Sequence, residues 1–256
     1  MRPLRPANKV FIPLFVVALA LMASWVSQRE GAPPAANDEP VEAPDKPRNP
    51  PFDFYLLALT SHPAFCADGH ARERECRAGD RLPISIHGLW PERLATGQYP
   101  HDCAGPALDL EPDTERELAT LMPGMAQRLH EHEWRKHGTC SGLDDDQYFQ
   151  AAFQRAGEVD RALGPKLTTL AGRQVDAAAL RAAVDQRAPG MGATLTFHCR
   201  TLRDAPRRQR RDPFLVEIRQ CLERNESGAP GGAVSCATVD RRDQGCGRSF
   251  RIAEAR

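Results

Sequence analysis

The spacing of apolar and polar side chains changes character several times along this chain, and each change marks an element. Residues 54–60 (FYLLALT) form an unbroken apolar run, which predicts a buried strand. Residues 82–87 (LPISIH) predict a second strand, leading into a turn at Gly88-Leu89-Trp90-Pro91. Helical spacing covers residues 113–121, is broken by Pro123-Gly124, and resumes in a helix that carries residues 132–140. Residues 147–163 and 176–186 predict further helices, with Asp176 as the cap of the second. Strands return near 193–199 and 214–222, split by the basic loop Arg207-Arg208-Gln209-Arg210-Arg211. Helices in the middle and strands at both ends imply an α+β fold rather than alternating βαβ units.

The N-terminal fifth of the pattern differs. Arg2, Arg5 and Lys9 precede an apolar run over residues 10–26, interrupted only by Pro13 and Ser24, so residues 1–30 read as a signal peptide or an N-terminal membrane anchor. Residues 31–51 hold seven prolines and acidic groups but almost no large apolar side chain, which describes a linker without a core. A single domain is expected from Phe52 to the end, exported to the periplasm or the extracellular space.

Formal charge is zero over the 256 residues, so no global field gathers a polyanion and any nucleic-acid contact must come from a local patch. Eight cysteines, at 66, 76, 103, 140, 199, 221, 236 and 246, all lie beyond the linker. An even set in an exported chain implies four disulfides, and spacing alone leaves the connectivity open.

The densest chemistry lies in His132-Glu133-Trp134-Arg135-Lys136-His137-Gly138-Thr139-Cys140. On a helix Lys136, Glu133 and His137 fall about 40°, 100° and 140° from His132, sharing less than half of the cylinder, while Trp134 lies outside that arc as a core anchor. Gly138 is a natural stop. An exposed, charged helix end is the bland alternative. A His-Glu-x-x-His zinc helix is disfavoured, because position 136 is Lys and His137 comes one residue late. His87, at the end of a buried strand beside Trp90, offers a second rigid imidazole.

The combination of IHGLWP (residues 86–91) with HEWRKHGTC (132–140) resembles the two signature segments of the ribonuclease T2 family, the secreted metal-free endoribonucleases. FYLLALTSHPAFC (54–66) and LVEIRQC (215–221) are similar to its first and late cysteine-bearing strands, so the resemblance covers about residues 52–250. It implies an antiparallel sheet packed with helices and four disulfides: Cys66 with Cys76, Cys103 with Cys140, Cys199 with Cys246, Cys221 with Cys236. It also implies cleavage of single-stranded RNA through 2′,3′-cyclic phosphates to 3′-phosphate ends, with little sequence demand.

By motif position His137 would be the base and His87 the acid. Glu133 and Lys136 would stabilise the phosphorane, and His132 would bind phosphate. Trp90 would stack on a base, with Glu92 near its edge and Tyr99 as a second stacking residue; for Trp90 core packing is an equal alternative. Two histidines suit acid and base work near neutral pH, and RNA brings its own 2′-OH nucleophile, which makes independent sense of the pair. No metal or cofactor is implied; the partner is RNA, and the protein is taken as a monomer. His62, His70, His101, His130 and His198 match no catalytic position. Thr60-Ser61-His62-Pro63 replaces a segment that carries Trp in many relatives, so base preference is not carried over. The rival readings are a binding protein that keeps the fold without activity, and a zinc hydrolase.

Overall fold

The computed structural model describes residues 50–77, 82–94, 99–239 and 243–254. The expected leader and, apart from Pro50 and Pro51, the expected linker lie outside the described residues. No helix among the described residues is long and apolar enough to cross a membrane.

In chain order the elements are β1 (Phe54–Ser61), α1 (His62–Phe65), α2 (Arg74–Arg77), β2 (Ile84–Glu92), α3 (Pro112–Leu121), α4 (Leu129–Lys136), α5 (Asp145–Thr169), β3 (Gln174–Asp176), α6 (Ala177–Asp185), β4 (Leu195–Arg200), β5 (Phe214–Arg224), β6 (Pro230–Ala233) and β7 (Ser249–Arg251). One sheet takes all seven strands in the order β2-β1-β5-β7-β3, with β4 and β6 also paired to β5. The resemblance implies an antiparallel sheet; all of the strand pairings among the described residues are antiparallel except that β7 pairs in parallel with β5 at Phe214 and Arg251, which makes the sheet mixed. That pair comes from a three-residue strand at the end of the long return from β6, a connection the Cys199–Cys246 disulfide ties to the end of β4.

The unbroken apolar run of β1 reflects two buried faces. Tyr55, Leu57 and Leu59 pack into the main core with Phe149, Val159 and Leu163 of α5, while Phe54 and Leu56 join a smaller cluster with Cys221, Cys236 and Trp90. Each fully buried Leu or Phe stabilises by roughly 1.5–3 kcal/mol. Helix α5 starts on a capping box at Asp144 and Gln147, and α6 on Asp176, which accepts from the Ala179 amide.

Two expected boundaries shift. Gly88-Leu89-Trp90-Pro91 is strand, not turn: it pairs with Ala58, Leu57, Leu56 and Tyr55 of β1. β2 is an edge of the sheet, where a proline removes no needed ladder donor. The helix with the charged motif ends at Lys136; His137 leaves it with φ −121° and ψ −46°, and a tight turn over Gly138–Cys140 follows. The disulfides are Cys66–Cys76, Cys103–Cys140, Cys199–Cys246 and Cys221–Cys236, the four pairs the resemblance implies.

Candidate active site

His87 owes its aim to a β-bulge. Ala58 pairs with Gly88 and Leu59 with Ile86, so His87 has no opposite residue on β1 and is turned out of the ladder. Its Nδ1 donates to Glu217 Oε2 at 3.0 Å, and its Nε2 lies 3.9 Å from Glu133 Oε1.

The facing wall is α4. Glu133 is buried, and its Oε2 accepts from Trp90 Nε1 at 2.8 Å and lies 4.0 Å from His137 Nε2. One carboxylate therefore stands between the two imidazoles. Two glycines allow this approach. A Cβ on Gly88 would come within 2.0 Å of Glu133 Oε2, and one on Gly138 within 2.2 Å of the Trp134 ring. Trp134 is the anchor expected of it: buried, donating to Pro106 O, and edge-on to Tyr148, whose hydroxyl in turn donates to Leu89 O beside Gly88.

His137 is buried between rings, with Trp90 at 5.3 Å and Tyr99 at 5.6 Å, and its Nδ1 has no partner among the described residues. The Cys103–Cys140 bond and a hydrogen bond from the Asp102 amide to Lys136 O hold the Tyr99 segment against this end of α4. Trp90 is half-buried and ringed by polar neighbours: His87 edge-on at 5.2 Å, His137 stacked, and the Arg219 guanidinium 5.1 Å from its centre. Trp90 packs on the small cluster of Phe54, Leu56, Cys221 and Cys236 and stays partly exposed. Glu92 is buried at the last position of β2. His132 is exposed, its Nδ1 3.4 Å from Arg135 Nη2, and it lines both of two cavities of about 510 and 960 Å³.

The electrostatics separate the two imidazoles. Burial drives His137 down to about 3, reinforced by the positive charges of Lys136, His132 and His87. Burial also acts against a charged His87, but the Glu217 hydrogen bond and the Glu133 and Glu217 charges outweigh it and lift His87 above the ordinary histidine value. Burial raises the Glu133 carboxyl, an effect only partly offset by His87 and by the Trp90 hydrogen bond. Partial desolvation and then the charges of Lys136, Arg135 and His87 lower His132.

Glu217 and Arg219 on β5 were not expected in the site. Glu217 would be raised by burial, yet its bond to His87 and the charge of Arg219 hold it down to about 2. In LVEIRQC they look like the solvated face of an alternating strand; the signal is only that two opposite charges two residues apart share a face.

Among the described residues one His/Cys/Asp/Glu group has metal-like spacing, His62 with Cys66 and Cys76, and both sulfurs are in a disulfide. Of the unassigned histidines, His62 and His198 are buried, His70 stacks on Phe65 at 4.1 Å, and His101 is exposed.

A helix-covered mixed sheet thus holds two imidazoles around one buried carboxylate, an arrangement suited to proton transfer. The ribonuclease T2 family model matches residues 52–230, and the chain belongs to that family. It is 41% identical to a ribonuclease of Aeromonas hydrophila over 101 residues, 40% of this chain and 43% of that protein. It is 26% identical to ribonuclease I of Escherichia coli over 80% of this chain and 87% of that one. Among solved structures, a variant of RNase MC1 in complex with 5′-UMP superposes with a TM-score of 0.58 at 24% identity, over 78% of this chain and 98% of that one. RNase NT in complex with 5′-AMP gives 0.57 at 21%, over 80% and 99%. At these identities the structural likeness speaks for the fold.

Proposed function

We propose that this chain is an exported endoribonuclease that cuts single-stranded RNA by transesterification. His137 takes the proton of the 2′-OH, the 2′-oxygen attacks the adjacent phosphorus, and His87 Nε2 protonates the departing 5′-oxygen. The product is a 2′,3′-cyclic phosphate, which water opens to a 3′-phosphate with the two histidines in exchanged roles. Lys136 neutralises charge on the phosphorane, His132 binds a non-bridging oxygen at the rim, and Glu133 holds the proton geometry between the two rings.

The observation that carries this reading is the placement of His87 Nε2 and His137 Nε2 at 3.9 and 4.0 Å from the two oxygens of the buried Glu133, in surroundings that bias His87 toward imidazolium and His137 toward neutral imidazole. That is the state an acid and a base need before the first step. An incoming phosphodiester anion offsets the Lys136 and His132 charges that depress His137, so the base strengthens when substrate arrives. The relatives that hold 5′-UMP and 5′-AMP support a nucleotide as the occupant of the cleft. Trp90 and Tyr99 are the stacking faces nearest His137, with Glu92 at the base edge. Sequence demand is low, export runs through residues 1–30 as leader or anchor, residues 31–51 act as a spacer, and the catalytic domain is a monomer spanning residues 52–256.

The test is cleavage of a short RNA, beside the same sequence as DNA, by the oxidised protein in excess EDTA, with fragment ends identified by mass. RNA cut to 2′,3′-cyclic ends with DNA intact is expected. A well-folded protein that leaves RNA intact would move the binding-protein reading to the front.

A further inference from the structure

We infer that Glu217, braced by Arg219, is the positioning residue that makes His87 the acid of the reaction by fixing which ring nitrogen faces the leaving oxygen. This rests on the ribonuclease reading above and deepens it. Glu217 touches no reacting atom; it acts through the imidazole.

The strand geometry is built for the contact. β2 and β5 lie on opposite edges of β1, so His87 and Glu217 reach each other across the face of an intervening strand. The register places Ala58 opposite both Gly88 and Arg219, and Thr60 opposite both Ser85 and Glu217, so β1 sets only small side chains beside the bond. Irregular pairing flanks the contact: one bulge isolates His87, and a second, between His198/Glu217 and Cys199/Leu215, isolates Val216, while Glu217 itself stays in register with Thr60 and His198. A bulge at His87 and another one residue before Glu217 are costly ladder disruption for a purely structural ion pair, which Glu217 and Arg219 make by themselves within β5.

Each oxygen of Glu217 is committed. Oε1 accepts from Arg219 Nε, and Oε2 accepts from His87 Nδ1 at 3.0 Å. A carboxylate only accepts, so Nδ1 keeps its proton in either charge state and Nε2 is the nitrogen that gains and loses one. Nε2 is also the nitrogen that faces Glu133 and the cleft. The groups facing His87 are Glu133 and, at longer range, His132 and His137 from the α4 side, Trp90 on its own strand, and Glu217 and Arg219 on β5; His198 on β4 stands opposite Glu217.

Two substrates separate this role from a structural one. A dinucleoside phosphate needs an acid because a 5′-alkoxide leaves poorly; a nucleoside 3′-aryl phosphate does not, because an aryloxide departs without protonation. Glu217→Gln should lower kcat on the dinucleoside phosphate by roughly 10- to 100-fold, part of the 10²- to 10⁴-fold a positioned acid contributes, with KM little changed. The alkaline limb of its pH profile should move to lower pH, and the aryl ester should be cleaved within about 3-fold of the parent rate. In a His87→Ala background, Glu217→Gln should cost nothing further. Equal losses on both substrates, or an added loss without His87, would overturn the inference. A measurement on the unmodified protein covers a variant that fails to fold. Ring ¹⁵N shifts of neutral His87 should report the Nδ1–H tautomer, and the Nε2–H tautomer would overturn it. If the parent protein cleaves neither substrate, the ribonuclease reading falls, while the ring tautomer still decides whether Glu217 orients His87.

Discussion

His137 keeps 5% of its side chain exposed and has no described partner on Nδ1, whereas His87 keeps 38% exposed and has a carboxylate near each nitrogen. The two rings have the same intrinsic chemistry, and their surroundings divide the labour between them. Burial among Trp90, Tyr99 and cationic neighbours lowers the pKa of one; Glu217 from across the sheet and Glu133 from α4 raise that of the other. The comparison teaches that a helix end favours a neutral imidazole and a sheet strand a charged one, which are the base and the acid of the proposed reaction.

The largest effect expected from breaking it is on turnover. His87→Ala and His137→Ala should each cost at least about 10²- to 10⁴-fold in RNA cleavage, measured as kcat/KM, with far-ultraviolet circular dichroism unchanged. Next is Gly88→Ala, whose methyl would occupy the place of Glu133 Oε2 and displace the carboxylate from Trp90 and both histidines. A misplacement of that order should reduce kcat by about 10²-fold, read in the same assay.

The charge difference itself can be sharpened through stability. Because folding depresses His137, protons bind the unfolded chain first, and stability falls as pH drops from about 6.5 toward about 3. Within that window the loss from this one group is at most about 1.4 kcal/mol per pH unit. Urea midpoints of the parent should therefore fall further between pH 7 and 4 than those of His137→Gln. Gly138→Ala, which crowds Trp134, should destabilise by about 1–3 kcal/mol, and Tm should drop by about 2–4 °C for each of these.

The smallest effect concerns charge outside the cleft. Arg207, Arg208, Arg210 and Arg211 are exposed, and none pairs with a carboxylate among the described residues. If they contact the RNA backbone, replacing all four with Gln should flatten the log–log salt dependence of kcat/KM on long RNA by no more than about 3 and leave dinucleoside cleavage unchanged. An unchanged slope would make them a solvated loop tip.

The contrast between helix end and sheet also explains what could be read from the chain. His132, Glu133, Lys136 and His137 fall within six residues, so local spacing alone keeps them together, three on α4 and His137 at its C-terminal end. The partners of His87 are not. Glu217 lies 130 residues away and reaches it only through two bulges and a strand order that no local period encodes. The Gly88–Pro91 segment misleads for a related reason: glycine and proline signal a turn, and only the position of β2 at the sheet edge lets them remain in a strand. β3, β6 and β7, three or four residues each, are too short to show alternation and exist by pairing alone.

The most direct test is a proton–nitrogen NMR titration of the two histidine rings in the free, oxidised protein. His87 titrating above the ordinary value near 6.5, with His137 still neutral at pH 5, is expected. The reverse order, or two rings titrating together near 6.5, would contradict the division of acid and base between the two walls of the cleft.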